Sequence, residues 1–327
     1  MRRGLVLAGL ALALASAPAA CTDSSFVAPP PPAPDAGRAD GAATPPPIDA
    51  GAPDARDDDA GGGAGDGGPP HVRIMAANTT SGSQQSYEAP GIRIFQGLAP
   101  DIALVQEFKV QGGDLRALVD TAFGPSFSYY VEPAGAIPNG IVSRYPILAS
   151  GAWTDASVSD RSFAYARIDV PGPVDLWAVS VHLLTSSATA RSTEAKQLAG
   201  YVSASVPNGD YLVIGGDLNT ESAGEQALTD LAAVVITAPP FPADQAGNTN
   251  SSINRNKPHD WVFARANLDA YAAPVTIGAA AFPAGLVFDS RVYTPLADVT
   301  PVLATDSSAT GMQHMPVVRD FVLPQSP

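Results

Sequence analysis

The 327-residue sequence contains a single cysteine, Cys21. The folded part of the chain therefore has no disulfide partners, and a disulfide-stabilised scaffold is excluded. Zinc and iron–sulfur sites with thiolate ligands are excluded for the same reason, as is a cysteine nucleophile. The chemistry has to come from other polar side chains.

Positive charge is also scarce, since 18 Lys and Arg residues oppose 32 Asp and Glu residues and give a formal net charge of −14. Four of the basic and nine of the acidic residues precede position 71, which leaves 14 basic and 23 acidic residues after it. This balance argues against a protein that coats nucleic acid through a basic surface, and against a polybasic patch that binds a membrane. It does not exclude hydrolysis of a phosphodiester, because a divalent cation can supply positive charge locally.

Residues 22–70 almost lack large apolar side chains, with Phe26, Val27 and Ile48 as the exceptions. Proline, alanine, glycine and aspartate make up 40 of these 49 residues. Such a segment buries too little apolar surface to offset its ordering entropy, so we predict a disordered linker. Residues 71–327 are enough for one well-buried domain, which we expect to be a monomer.

The apolar run of residues 4–15 is too short for a transmembrane helix, and it follows two arginines at positions 2 and 3. A short basic region, an apolar core and a small-residue zone predict a secretory signal over residues 1–21. Its end, Pro-Ala-Ala-Cys, resembles a bacterial lipoprotein cleavage box, although Pro18 replaces the usual larger aliphatic residue. We therefore expect an exported lipoprotein of the cell envelope, anchored to the membrane through a lipidated Cys21. Ordinary cleavage after Ala17, which would give a secreted protein, is the alternative.

Short segments that are apolar on both faces predict strands at the centre of a layered α/β protein. They cover residues 72–77, 102–106, 127–131, 140–143, 163–170, 174–182, 211–215, 260–264 and 316–322. Helices are predicted over residues 87–98, 113–123, 189–206 and 224–233, with the clearest helical spacing in 189–206. Several strands follow one another without a helix between them. Two packed sheets with helices outside therefore fit better than a purely alternating βαβ fold.

Polar side chains stand at the ends of these apolar strands: Asn78, Glu107, His182, Asp217 with Asn219, and His314. Each alone is most often a turn or capping residue. Together they supply two carboxylates, two carboxamides and two imidazoles. Asp217 and Asn219 are two apart in an extended stretch and project to the same side, as suits a phosphate beside a metal, although an Asx-turn explains them equally well.

The segment His-Asp-Trp-Val-Phe at residues 259–263 alternates in the manner of a strand. Alternation places His259 with the aromatic side chains, so we expect a packed or capping histidine. Asp260 faces the other way and is able to orient another imidazole, for which His314 is the natural partner. A carboxylate that holds a histidine tautomer makes that histidine a general base.

This ordered set of motifs resembles the endonuclease/exonuclease/phosphatase superfamily, the DNase I-like fold, over nearly all of residues 71–327. The matching pieces are Ile-Met-Ala-Ala-Asn (74–78), Val-Gln-Glu (105–107), Asn-Gly-Ile-Val-Ser-Arg-Tyr-Pro-Ile (139–147), Val-His-Leu (181–183), Gly-Gly-Asp-Leu-Asn (215–219), Asp-Trp-Val (260–262) and His-Met-Pro-Val (314–317). The Gly-Asp-Leu-Asn and Ser-Arg-Tyr-Pro pieces are the most specific. The resemblance implies an α/β (α+β) fold, a four-layer sandwich of two packed mixed β-sheets flanked by helices. It also implies metal-assisted hydrolysis of a phosphoester.

For the metal, the resemblance implies that Glu107 holds a Mg²⁺-like ion and that Asn78 contributes directly or through water. Oxygen ligands suit such a hard cation, and Mn²⁺ or Ca²⁺ are alternatives. Members of the superfamily usually carry an aspartate directly before the final histidine, where this sequence has Gln313. This departure implies a weaker or displaced ion, or a catalytically inactive binding domain.

For catalysis, the resemblance implies that Asp217 positions the attacking water or a second ion and that Asn219 contacts a phosphoryl oxygen. His182 would contact the phosphate or protonate the leaving oxygen. The Asp260–His314 pair would activate the water.

The substrate is less clearly indicated. Residues 248–257 are rich in Asn and Ser and include Arg255 and Lys257, so they form either a loop that grips a phosphate backbone or a solvated loop. Further candidates for local positive charge, which are otherwise solvated residues, are Arg144, Arg161 and Arg167.

Residues 277–288 are apolar and form either a membrane-touching loop, as in a sphingomyelinase-like phospholipid phosphodiesterase, or an ordinary buried segment. We expect a nuclease that hydrolyses DNA or RNA, so that nucleic acid is the partner as substrate. The phospholipid enzyme and an inactive surface-binding domain are the alternatives.

Overall fold

The structure is a computed structural model that describes residues 68–81, 86–110, 112–133 and 135–325. The predicted signal, the lipidation site Cys21 and nearly all of the predicted linker lie outside the described residues. No helix of the described ranges is long and apolar enough to cross a membrane.

Among the described residues, fourteen strands form two mixed sheets and one separate hairpin. The first sheet contains β1 (His71–Ala77), β2 (Ile102–Val105), β3 (Ser128–Val131), β4 (Gly140–Ser143), β10 (Ala272–Ala273), β13 (Leu286–Val287) and β14 (Val317–Val322). The second sheet contains β5 (Ile147–Trp153), β6 (Phe163–Ile168), β7 (Leu176–His182), β8 (Tyr211–Asp217) and β9 (Asp260–Ala264). The hairpin pairs β11 (Val275–Ile277) with β12 (Ala280–Phe282).

The helices of the described chain lie between strands in sequence. They are α1 (Ala89–Leu98), α2 (Leu115–Ala122), α3 (Ala188–Ser205), α4 (Gln226–Leu231) and α5 (Ala266–Asp269), with 3₁₀ turns at Leu296–Val299 and Asp306–Ser308. Capping residues set where α2 and α3 begin, because the side chains of Asp114 and Ser187 accept backbone N–H groups of the first turn.

The order of the first sheet is β10-β14-β1-β2-β4-β3, with β13 also paired to β14, and the order of the second is β5-β6-β7-β8-β9. Each sheet contains one parallel pair, β1 with β2 and β7 with β8, and its other pairs are antiparallel. The carboxyl ends of parallel strands meet at one edge of a sheet, so both parallel pairs bring their following residues together.

Two apolar clusters divide the fold into layers. The larger joins the inner faces of both sheets, for example Leu104 and Val213, and extends beneath α1 and α2 at residues such as Phe95. The smaller lies between the second sheet and α3 and α4 and includes Ile214 and Leu198. Helices, sheet, sheet and helices therefore follow one another, which confirms the predicted four-layer sandwich.

Gly216 lies in β8 directly before Asp217, at a φ of 143°, where a Cβ atom would stand 2.0 Å from Val181 O. We expect Gly216→Ala to lower the free energy of unfolding by about 3 kcal/mol, because the backbone at the strand end has to shift. Gly200→Ala is the matched control, since a Cβ in this exposed part of α3 meets nothing within 4 Å. It should raise stability by about 0.5–1 kcal/mol. Equal urea midpoints for the two variants would contradict this account.

Candidate active site

The polar residues at the strand ends lie at one edge of the two sheets. Asn78 and Glu107 follow the parallel pair β1 and β2, and His182 and Asp217 end the parallel pair β7 and β8. In register, His182 lies opposite Asp217, and Asp217 lies opposite the first residue of β9. That residue is Asp260, and its partner His314 stands just before β14, which runs antiparallel to β1.

The carboxylate of Asp217 is the centre of this site. Its Oδ2 lies 3.3 Å from Nε2 of His182 and 3.3 Å from Nε2 of His314. Asn78 Nδ2 donates to the same oxygen at 3.2 Å. The other oxygen, Oδ1, accepts the backbone N–H of Asn219 at 2.9 Å, the Asx contact that the sequence left open. Asp217 is 1% exposed, so one buried carboxylate links two imidazoles and an amide.

His314 and Asp260 form a hydrogen-bonded pair, with 3.0 Å between His314 Nδ1 and Asp260 Oδ2. The loop before Asp260 is fastened to the His314 segment, because Met315 N–H donates to Ser251 O at 2.7 Å. Ser251 Oγ in turn accepts the Asp260 N–H at 2.7 Å. The neighbouring His259 contacts Thr220 O through Nδ1 at 3.1 Å, as expected for a capping histidine.

The two imidazoles differ in charge at neutral pH. Burial disfavours the imidazolium of His314, but the carboxylates of Asp217, Asp260 and Glu107 outweigh it and raise its pKa to about 10. Burial is also the largest effect on the pKa of His182. Here it exceeds the opposing effect of the Asp217 carboxylate and lowers the pKa to about 4. Asp217 therefore has a cationic imidazole on one side and a neutral one on the other.

Glu107 and Asn78 form the second half of the site. Asn78 Nδ2 donates to Glu107 Oε1 at 3.2 Å and thus links Glu107 to Asp217. Burial raises the pKa of Glu107, although the Asn78 bond opposes this effect. Glu107 and Asn219 both have a φ of 51°, a left-handed backbone that costs energy outside glycine and is often found at functional sites.

The residues present fit a divalent cation. Two buried carboxylate oxygens, Glu107 Oε2 and Asp260 Oδ1, have no hydrogen-bond partner in the described part of the chain. In addition, Asp217, Asp260 and His314 each offer a donor atom, and these atoms lie within 4.8 Å of one another. A donor set dominated by carboxylate oxygens suits a hard cation.

Four residues that hold the site in place did not stand out in the sequence as site residues. Tyr87 Oη donates to the carbonyl oxygens of Ala77 and Gln106, at 2.8 and 3.0 Å, and so ties the ends of β1 and β2 together. Gln106 Nε2 donates to Ser180 Oγ at 2.9 Å and connects the two sheets beneath the site. No local pattern marks such residues, because their partners are distant in sequence.

The fourth is Arg161, which the sequence suggested only as a source of local charge or as a solvated residue. It is 6% exposed, and its Nε donates to His182 O at 2.6 Å. Its Nη2 donates to Leu183 O at 3.2 Å, and Asn219 Nδ2 donates to the same oxygen at 3.0 Å. Arg161 and the Asn219 amide thus hold the backbone that follows β7.

The other basic candidates lie in ion pairs. Arg255 donates to Asp244 at 2.6 Å and to Asp289 at 3.2 Å, and its side chain is 12% exposed. The structure places Arg255 in a largely buried ion-pair network with these two carboxylates. Lys257 Nζ lies 2.7 Å from Glu221 and remains 40% exposed. Arg144 and Arg167 are paired with Asp101 and Asp175, away from the site.

Residues 92–290 match the Endonuclease/Exonuclease/phosphatase family. The chain belongs to this family. Its members are metal-dependent phosphoric ester hydrolases, and the chain is an enzyme of this type. This agrees with the acidic donor set and the Asp–His pair described above.

Two solved structures share the family's fold with this chain at a TM-score of 0.53. One is an endonuclease/exonuclease/phosphatase from Beutenbergia cavernae DSM 12333, 17% identical, with 79% of this chain and 72% of that chain covered. The other is a functionally unknown conserved protein from Enterococcus faecalis V583, 10% identical, with 76% and 98% covered. Among curated proteins, none matches the sequence significantly.

Proposed function

We propose that this chain is an exported, metal-dependent phosphodiesterase whose substrate is nucleic acid. The observation that carries the hydrolytic part of the proposal is the Asp217 carboxylate between two imidazoles, one of which is held by Asp260. The signal-like residues 1–21 support export, and Cys21 is the proposed point of attachment to the membrane.

Glu107 and Asn78, with Asp217 beside them, would hold the cation, for which we propose Mg²⁺. When bound, the cation stabilises negative charge on the reacting phosphate and offsets the carboxylates that keep His314 protonated. Asp260 accepts the Nδ1–H of His314 and so directs Nε2 towards Asp217. With Nε2 unprotonated, His314 removes a proton from a water molecule that Asp217 orients.

His182 has a different role because it is neutral. Its Nε2 lies 3.3 Å from Asp217 Oδ2, and the neutral tautomer with the proton on Nε2 has an N–H donor at this place. We propose that this N–H donates to a phosphoryl oxygen of the bound substrate. The Arg161 guanidinium holds the carbonyl of His182 and fixes the position of this donor.

The surroundings of the site favour nucleic acid over a phospholipid. The large apolar side chains of residues 277–288 are buried, namely Ile277, Phe282, Leu286, Val287 and Phe288. This segment therefore exposes no large apolar side chain for insertion into a bilayer. Lys109, next but one to Glu107, and Lys257, before Asp260, are partly exposed and supply positive charge for phosphates that flank the scissile bond.

The test is a substrate panel with the purified full chain. Supercoiled plasmid, single-stranded RNA and sphingomyelin vesicles are each incubated with Mg²⁺, Mn²⁺ or Ca²⁺, and with EDTA as control. We expect cleavage of plasmid or RNA that requires the cation and stops on its removal, and nicked circular plasmid would show endonucleolytic cutting. Hydrolysis of the vesicles alone would support the phospholipid alternative. Failure to hydrolyse any phosphoester with any cation would support an inactive binding domain and contradict the proposal.

A further inference from the structure

The backbone that follows β7, which we call the His182 loop (residues 182–185), is held almost entirely by side chains. Arg191, which is 2% exposed, donates from Nη1 to Leu184 O at 3.0 Å and to Thr185 O at 2.9 Å. The Leu184 N–H donates to both carboxylate oxygens of Glu194, at 3.2 and 3.0 Å. Both residues belong to α3, so this helix fixes the loop that carries His182.

Glu194 faces a second buried carboxyl group, that of Asp155, which follows β5. Glu194 is 0% exposed and Asp155 is 3% exposed. The Asp155 segment is fastened to α3 close to Glu194, because the Ala156 N–H donates to Gln197 Oε1 at 3.1 Å, and the two carboxyl groups interact directly. Asp155 Oδ1 accepts the Ser157 N–H at 2.8 Å, whereas Oδ2 is buried and has no donor within the described ranges. Ionised carboxylates only accept hydrogen bonds, so two of them in contact require a proton between them.

We propose that Asp155 and Glu194 share one proton and that this proton holds the His182 loop in place. The proton is covalently bound to one carboxyl group and is donated to an oxygen of the other. Asp155 and Glu194 are thus positioning residues, because they act on His182 through the backbone. Only the consequence for catalysis rests on the proposed function, since the contact itself is a property of the fold.

The charges around the pair support a proton rather than a second metal ion. Arg161 is the cation that faces the pair, and it also binds the His182 loop through two carbonyl oxygens. Its positive charge disfavours a further cation between the carboxyl groups. Arg191, on the same helix as Glu194, is directed instead to Glu225 at 2.5 Å. Loss of the shared proton would leave two buried negative charges beside one guanidinium.

Burial raises the pKa of Glu194 to about 7, and the contact with Asp155 adds to this effect while the Leu184 N–H opposes it. In the unfolded chain the ordinary value of 4.5 applies. Between these values the folded state binds more protons than the unfolded state. The free energy of unfolding therefore falls as the pH rises from about 4.5 to about 7.

The Glu194→Gln variant separates the contribution of the shared proton to the pH dependence of stability from the contributions of other titrating groups. Its amide oxygen accepts the Leu184 N–H and its NH₂ group donates to Asp155, so it reproduces the shared proton at every pH. We expect the melting temperature of the full wild-type chain to fall by about 5 °C more than that of the variant between pH 5 and pH 8. Glu132→Gln is the control for location, because burial also raises the pKa of the Glu132 carboxyl group to about 7. It should lessen the pH dependence of the melting temperature as well, so the hydrogen exchange of the His182 loop distinguishes the two variants.

Hydrogen exchange then locates the change. After correction for the intrinsic rates, protection of the hydrogen-bonded Leu183 and Leu184 amides in the wild type should fall about tenfold from pH 6 to pH 8. This protection should stay constant with pH in Glu194→Gln and Asp155→Asn. In Glu132→Gln it should fall as in the wild type. In Glu194→Ala it should be low at every pH.

The same pH dependence in wild type and Glu194→Gln would overturn the proposal. So would a rise in melting temperature with Ca²⁺ at pH 8 that is larger in the wild type than in Glu194→Gln, because the pair would then hold a cation. Neither readout requires turnover. A chain that passes these tests but cleaves no phosphoester refutes the proposed function and leaves this inference standing.

Discussion

Asp217→Asn is expected to lower kcat for phosphodiester hydrolysis by about 10³-fold or more, because it removes a negative charge from the centre of the site. Oδ2 of this residue contacts both His182 and His314, and Asn78 bonds to the same oxygen. An amide of equal size keeps the packing but cannot stabilise an imidazolium. The pKa of His314 should also fall, since Asp217 is the strongest of the charges that raise it.

Asp210→Asn is the matched control for this variant. Asp210 directly precedes β8, at the opposite end of the strand from Asp217, and accepts a hydrogen bond from Trp177 Nε1 at 3.0 Å. The Asp210→Asn variant is expected to hydrolyse the substrate at the wild-type rate. Steady-state kinetics of the two variants at saturating Mg²⁺ would decide the matter. Activity of Asp217→Asn equal to that of Asp210→Asn would remove Asp217 from the proposed mechanism.

Glu107→Gln is expected to weaken Mg²⁺ binding by about 100-fold or more, because the carboxylate that offers a free oxygen to the cation is lost. The same substitution should stabilise the metal-free chain, since burial disfavours the charged form of Glu107. Calorimetric titration with Mg²⁺ measures the first effect, and thermal unfolding in EDTA measures the second. Loss of binding together with a gain in stability is the signature of a functional carboxylate.

The control for Glu107→Gln is Glu88→Gln, which changes an exposed glutamate at the N-cap of α1. Its Mg²⁺ affinity should match that of the wild type. Unchanged affinity in Glu107→Gln would place the cation instead among Asp217, Asp260 and His314, whose donor atoms lie close enough to hold one.

The central strands were predictable from the sequence because they are buried on both faces. All seven residues of β8 and all five of β9 are buried, and continuous apolar runs mark such strands. The edge strand β5 was missed because it is largely exposed and rich in small residues. The strands β10, β11, β12 and β13 are two or three residues long, which is too short to show a periodic pattern in the sequence.

The candidate site could be anticipated because its residues stand at strand ends, where the topology brings them together. What the sequence could not give were partners far apart along the chain. From the sequence alone Arg161 is indistinguishable from a surface arginine, whereas in the fold it donates to the carbonyl oxygen of His182. Arg255 is likewise neutralised by Asp289, 34 residues away. Glu194 looks like any charge on a helix until Asp155 is found beside it.

Gln313, where the resemblance implies an aspartate, is exposed. Its carbonyl oxygen accepts the Ile253 N–H at 2.8 Å and helps to fasten the His314 segment. Glu107, Asp217 and Asp260 remain buried at the site. The three carboxylates that surround His314 are therefore present without the usual fourth, which favours an active enzyme over an inactive binding domain.

His314 is proposed to activate water for metal-dependent phosphodiester hydrolysis. Comparison of His314→Gln with His259→Gln tests this role on the nucleic acid that the wild type cleaves, at saturating Mg²⁺. The two imidazoles lie 5.6 Å apart, and only His314 bonds to Asp260. We predict that His314→Gln lowers kcat by about 10²–10⁴-fold while His259→Gln stays near the wild-type rate. A folded His314→Gln variant that cleaves as fast as the wild type would contradict the account.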